Sequence, residues 1–369
     1  DGIRGKDYVI INGGDIEIVA VGDGIKADNA ENVDRGYVLI IDGTVDVTSG
    51  DDGIQAATDA LITGGTITVN AGSGASSEDS GRAIQGDVMV VVSGGVITAD
   101  ADDDALHSNS AVTIDGGDLT LASGDDGIHG DFAVTINGGS VVITESFEGI
   151  ESEVITINAG FIDVTATDDG LNVADGTAAE TNTLSVGPGR GGGGEVAGEY
   201  YIYINGGTTV ITIGSSSAAD GDGIDSNGSV VMTGGVVVIN GPTDTRNSAL
   251  DYNGTFEVSG GLIIGTNING MNSEGVGAGS TQASMYLTSA SVLDAGTVVH
   301  IEDTDGTGLV TFEPANPFDV IVFSSEDLAD GGTYDVYFGG TVTGTSDTGL
   351  YDDADYEHGE LAGTVTASL

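Results

Sequence analysis

The chain has 369 residues, 59 of them acidic and 7 basic, for a formal net charge of −52. That balance excludes nucleic acid as a partner, since phosphate recognition needs clustered Lys and Arg, and points to cations or a saline medium instead. With 64 Gly, 4 Pro and no Cys, tight turns abound, a Pro-rich disordered tail is excluded, no disulfide argument exists, and no apolar run is long enough for a membrane helix.

The chain opens in mid-pattern at Asp1-Gly2-Ile3-Arg4-Gly5, so a leader and an upstream segment are expected to be missing from it. The apolar residue Ile3 is a marker that recurs at Ile25, Ile54, Ile84, Leu106, Ile128, Ile150, Leu171, Ile224 and Leu250. Through the centre the spacing is 22, 22 and 21 residues. Longer intervals contain polar excursions near 27–36, 71–81 and 177–198, the last holding the Gly-rich Pro188–Gly194 stretch. Self-similarity at this period marks a solenoid.

Each unit has one grammar, clearest after Asp125-Asp126-Gly127-Ile128. A polar turn follows, then Val134 and Ile136, a Gly138-Gly139 corner, then Val141 and Ile143. Alternation with period two makes these strands with one buried face. Three short strands per roughly 22 residues predict an all-β right-handed parallel β-helix of about ten coils over residues 1–280, its hand resting on the general chirality of parallel crossovers. From about Thr281 longer alternating runs with ordinary hairpin turns predict a small C-terminal β cap domain, 281–369, covering the last coil.

Stacking sets equivalent positions about 4.8 Å apart. Two residues before the marker runs the column Asp1, Asp23, Asp52, Arg82, Asp104, Asp126, Glu148, Asp169, Asp222, Ser248; beside it stand Asp51, Asp103, Asp125 and Asp168. Two carboxylates at that spacing repel by roughly 0.9 kcal/mol in bulk water and ~3.5 kcal/mol at an effective dielectric of 20. Such a run needs protons, strong hydration or a cation, and a surplus of hard oxygen ligands favours Ca2+. The bland alternative is a solvated acidic ridge, as on halophilic proteins. Arg82 interrupts the column and is expected to contact Asp52 or Asp104, with no Ca2+ beside it.

The position after the marker runs Arg4, Lys26, Gln55, Gln85, His107, His129, Glu151, Asn172, Asp225, Asp251, from basic to acidic. His107 and His129 read as paired surface histidines more readily than as a transition-metal site. The candidate metal set is therefore Asp23, Asp51, Asp52, Asp103, Asp104, Asp125, Asp126, Glu148, Glu151, Asp168, Asp169, Asp222, Asp225 and Asp251. No Cys nucleophile and no G-x-S-x-G elbow occur, and Pro188–Gly194 lacks the GK[ST] of a phosphate loop. Tyr200, Tyr201 and Tyr203 suit a sugar platform or an edge strand equally, and the absence of Trp argues against a flat cellulose-type platform. Asn227 and Asn253 head N-glycosylation sequons on matching turns, where Asn-Gly is also good turn chemistry.

The segments DGIRGKD, GDGIKAD, DDGIQA, GDGIDSNG and ALDYNG, with the ending that runs through STQASMYLTSA and IVFSSEDLADGGTYDVYFGG, resemble the secreted carbohydrate-binding-domain-containing β-helix proteins, related in fold to pectate-lyase-like polysaccharide lyases. The resemblance implies a right-handed parallel β-helix, Ca2+ on the acidic coils, an extracellular or cell-surface location, and binding of acidic polysaccharide such as polygalacturonate, with cellulose as another candidate. The function expected is thus non-catalytic glycan binding without membrane insertion. Two other readings stand beside it. One is a Ca2+-bridged filament stacked head to tail, with Arg4 and Lys26 at the opposite end from Asp225 and Asp251. The other is a Ca2+-dependent lyase, for which Arg82, Arg4 and Lys26 are the column candidates for a base.

Overall fold

The computed structural model describes residues 1–72, 81–174, 198–214, 221–270, 273–346 and 348–369. Most of the 71–81 and 177–198 excursions, Pro188–Gly194 included, lies outside the described residues. The described residues are all-β, with no helix long and apolar enough to cross a membrane among them.

One coil shows how the sequence folds. Ile128–Gly130, Ala133–Ile136 and Ser140–Glu145 form its three strands. Ile128, Val134, Ile136, Val141 and Ile143 point inward and are almost fully buried, each contributing roughly 1.5–3 kcal/mol of apolar burial. At the corner Gly139 has φ +88°, and a Cβ there would stand 2.7 Å from the Gly117 carbonyl oxygen. Both the left-handed backbone and the coil below therefore require glycine.

The ten marker strands stack parallel in one sheet, and each marker pairs with the next, from Ile3↔Ile25 through to Ile224↔Leu250. Ten strands enclose about nine turns, slightly fewer than the coil count expected from the repeats. The second and third strands of each coil form two further parallel ladders. In the first two coils they run together as Tyr8–Ala20 and Tyr37–Ser49, and the pairing shifts register around Gly13 and Gly14. The 28–36 loop is tied down at Asp7, which pairs with Arg35 and accepts from Asn29 Nδ2 at 2.6 Å.

Side chains before the Gly corners form an amide ladder. Asn137 Nδ2 donates to Asp115, Asn158 to Asn137, and Asn205 to Asn158, at 2.8, 2.8 and 2.9 Å. Tyr201 and Tyr203 lie in Tyr201–Ile204, which pairs on both sides, with Val154–Ile157 and Ser229–Met232. The edge-strand reading of these tyrosines is corrected: they are interior to a ladder, with their rings stacked at 5.5 Å.

At the far end Leu262–Asn267 turns from parallel pairing to an antiparallel partner, Phe318–Ser325. Val320 and Val322 complete the solenoid core, whereas Phe318, Ile321 and Phe323 join a second core with Val210, Val238 and Ile264. Those last three point outward from the coils, and the C-terminal region covers them. Its four-stranded antiparallel sheet comprises Gly308–Phe312, Val299–Asp303, Thr333–Thr345 and Asp352–Thr366, in that order.

Candidate functional site

The acidic column follows the register read from the repeats, yet it is not a solvated ridge. Asp23, Asp52, Asp104, Asp126, Glu148, Asp169 and Asp222 are each at most 7% exposed. Burying a carboxylate this deeply demands partners, and the stacking supplies them. Asp52 Oδ1 accepts the backbone N–H of Arg82 at 3.0 Å, Asp104 that of Asp126 at 3.1 Å, and Asp169 that of Asp222 at 2.6 Å; Asp222 accepts that of Ser248. Each of these four acids therefore caps the amide one coil further on.

The second oxygen meets the column after the marker, three residues along. Lys26 Nζ lies 2.5 Å from Asp23 Oδ2, His107 Nδ1 2.7 Å from Asp104 Oδ2, and His129 Nδ1 2.7 Å from Asp126 Oδ2. His129 Nδ1 is also 3.0 Å from Glu151 Oε2. Burial alone would lower the His129 pKa, but hydrogen bonds to Asp126 and Glu151 overcome it and push the imidazole up to about 12. The two rings stack at 5.0 Å. They are largely buried partners of the ladder, correcting the surface-pair reading, because the marker strand turns each ring back onto the carboxylate three residues before it, while the 22-residue period stacks ring on ring. A charged His129 is a counter-ion to the clusters it enters (Asp104, His107, His129 and Asp126, His129, Glu151), since a metal ligand must be the neutral imidazole.

Arg82 makes a further internal pairing. Its Nε lies 3.0 Å from Asp103 Oδ2 and 3.5 Å from Asp104 Oδ2, while Asp52 is met by its backbone N–H.

Oxygen-only groupings remain at Asp23, Asp51, Asp52 and at Asp103, Asp104, Asp125, whose carboxylate oxygens lie within 4.8 Å of one another. Burial, then neighbouring acids, raises Asp52 to about 6 and Asp125 to about 6, and raises Asp51. Past Glu148 the column after the marker reads Glu151, Asn172, Asp225, Asp251 and offers no cationic side chain. Asn172 pairs in register with Asp225, and Asp225 with Asp251. Burial, followed by Asp225, Glu148, Asp222 and Asp168, holds Asp169 well above the ordinary carboxylate range. Asn172 Nδ2 donates to Glu148 Oε2 at 2.9 Å, but its Oδ1 is buried without a hydrogen-bond partner among the described residues. A buried carbonyl oxygen lacking a donor, set among carboxylates, suits a hard cation with oxygen ligands; Ca2+ fits this donor set.

Sequence reading placed these acids in register but missed what they bond to. The available signal was the Asp-x-x-His and Asp-x-x-Lys spacing across each marker. Asn253 Nδ2 donates to Asn227 Oδ1 at 3.0 Å, so the two sequon asparagines also stack.

These features define a parallel β-solenoid whose spine is a buried carboxylate ladder. Residues 1–127 match the family model described as carbohydrate-binding domain-containing protein, with which the β-solenoid is consistent. No curated protein and no solved structure matched the chain.

Proposed function

We propose that this solenoid is a non-catalytic extracellular module that binds acidic polysaccharide through Ca2+ held on the later coils of the ladder. The observation that carries the reading is Asn172 Oδ1, a buried acceptor with no donor among the described residues, at the point where the column after the marker turns to Glu151, Asn172, Asp225 and Asp251. Glu148, Asp169, Asn172, Asp222 and Asp225 would hold the ion, with Asp51 and Asp52 beside Asp23 as a second oxygen set. Bound Ca2+ would supply coordination positions open to sugar carboxylates. The chain's own part is rigid placement: backbone N–H groups fix Asp169 and Asp222, so their remaining oxygens need no reordering on binding. The family match over 1–127 supports a carbohydrate partner.

Polygalacturonate binding should be measured by calorimetry with Ca2+ and with excess chelator, for wild type and Asp169→Asn. Loss of binding in chelator and in the variant is expected; binding unchanged by chelator removes the Ca2+ bridge. The same mixtures, followed for ultraviolet-absorbing unsaturated uronates, test the lyase alternative. Head-to-tail filament growth is weighed down by one feature: Leu262–Asn267, a strand that an incoming coil would have to extend, already pairs with Phe318–Ser325.

A further inference from the structure

The four-stranded C-terminal sheet carries a second polar cluster on the face opposite its apolar core. Val299 and Ile301 point into that core, while His300 and Glu302 alternate to the other face and are nonetheless buried. His358 arrives from Asp352–Thr366, two strands away across Thr333–Thr345. Its Nε2 lies 2.9 Å from Glu302 Oε2, and His300 Nε2 lies 3.3 Å from the same oxygen. Two ligand atoms on a tetrahedral Zn2+ with bonds of ~2.0–2.1 Å stand about 3.3 Å apart. Both contacts to Glu302 are close to that separation, and all three ligand atoms lie within 4.8 Å of one another.

Its surroundings are those of a built site. His300 Nδ1 is 2.8 Å from Thr311 Oγ1, the outer-shell contact that orients a ligating imidazole. The Tyr356 ring stacks on His300 at 4.2 Å, and the Tyr337 ring lies 4.5 Å from His358. Beside His300 sits Gly308, where a Cβ would come within 3.1 Å of His300 Cε1 and 3.6 Å of Nε2. We infer that His300, Glu302 and His358 form a transition-metal site, taking Zn2+ or a similar borderline dication with water as the fourth ligand. The mixed nitrogen and oxygen donors set it apart from the oxygen-rich ladder, which favours Ca2+. Bound metal would tie the C-terminal strand to Val299–Asp303 across the strand between them.

The test is Zn2+ titration of the full chain by calorimetry in a background of saturating Ca2+, with Co2+ as the spectroscopic stand-in. Expected is one saturable Zn2+ site and a visible Co2+ spectrum of low-coordinate, nitrogen-containing type. His358→Ala alters a half-exposed side chain and should leave the fold intact by circular dichroism. It should weaken Zn2+ by more than the roughly 10–100-fold that losing an outer-shell partner costs, a loss expected of Thr311→Val, which keeps all three ligands. Zn2+ affinity and Co2+ spectrum unchanged in His358→Ala would overturn the assignment, as would absence of saturable binding by wild type.

Discussion

Asp52→Asn isolates what the buried ladder costs when nothing neutralises it. Burial, with Asp51 and Asp23 close by, raises the Asp52 carboxyl from 3.8 to about 6. A shift of that size corresponds to roughly 3 kcal/mol. A raised acid binds its proton more tightly in the folded chain, so its contribution to stability is fully present below the unfolded pKa. That contribution is lost as pH rises through the folded value. Asparagine keeps an Oδ1 to accept the Arg82 N–H, which Asp52 accepts at 3.0 Å, and removes the charge; the lost attraction to Arg82 offsets part of the gain. In chelator at about pH 8 the variant should be ~1–3 kcal/mol more stable than wild type, and the advantage should vanish near pH 3.5. Added Ca2+ should shrink the difference at the higher pH, because Asp52 shares an oxygen grouping with Asp23 and Asp51. Urea unfolding at both pH values reads all of this. Asp52→Asn less stable than wild type at both would show that the carboxylate is a net stabilising hydrogen-bond acceptor and refute the reasoning.

His129→Gln leaves Asp126 and Glu151 buried without their shared cation, a change expected to cost about 3–5 kcal/mol. Because the imidazole is raised to about 12, its stabilisation is complete below the unfolded pKa and is lost entirely only once pH has risen through the folded value of about 12. The unfolding deficit should therefore be present throughout the neutral range; a deficit confined to acid pH would contradict it. Gly139→Ala forces a side chain onto a φ of +88° and against the Gly117 carbonyl. It should lower stability by about 1–3 kcal/mol or more in thermal unfolding, and an unchanged midpoint would show the corner to be pliable.

The solenoid was legible because its constraints repeat. An inward apolar residue, a Gly corner and a marker recur often enough to carry the register across intervals of 29, 30 and 53 residues, and Leu171↔Ile224 pairs across the longest of them. The acid column was legible as a column but not as buried. Sequence gives the spacing of the carboxylates; it does not show that the coil above turns an N–H onto each oxygen, as Asp222 does to Asp169. The C-terminal cluster was not legible at all. His300 and Glu302 share a strand face by period two, but His358 joins them through two antiparallel pairings, the second shifted in register between Val336 and Tyr337, with no repeat to betray the register.

Charge is distributed unevenly along the ladder, and this is why the proposed cation is placed on the later coils. In the earlier coils Lys26, Arg82, His107 and His129 each stand against a buried carboxylate, so the chain neutralises much of its own spine. In the later coils the same positions hold Glu151, Asn172, Asp225 and Asp251. The segment that matches the family model, 1–127, contains Lys26, Arg82 and His107 and ends before His129 and the later coils. The matched coils and the later acidic coils are joined by one continuous sheet that keeps them in register. Protons can relieve the later coils only while Asp169, raised by burial and its acidic neighbours, holds its own. As pH rises and that proton leaves, the repulsion must be met by a bound cation or taken as lost stability. Dependence on the cation should thus grow with pH, in the same sense as the falling competition of protons for the ligand oxygens.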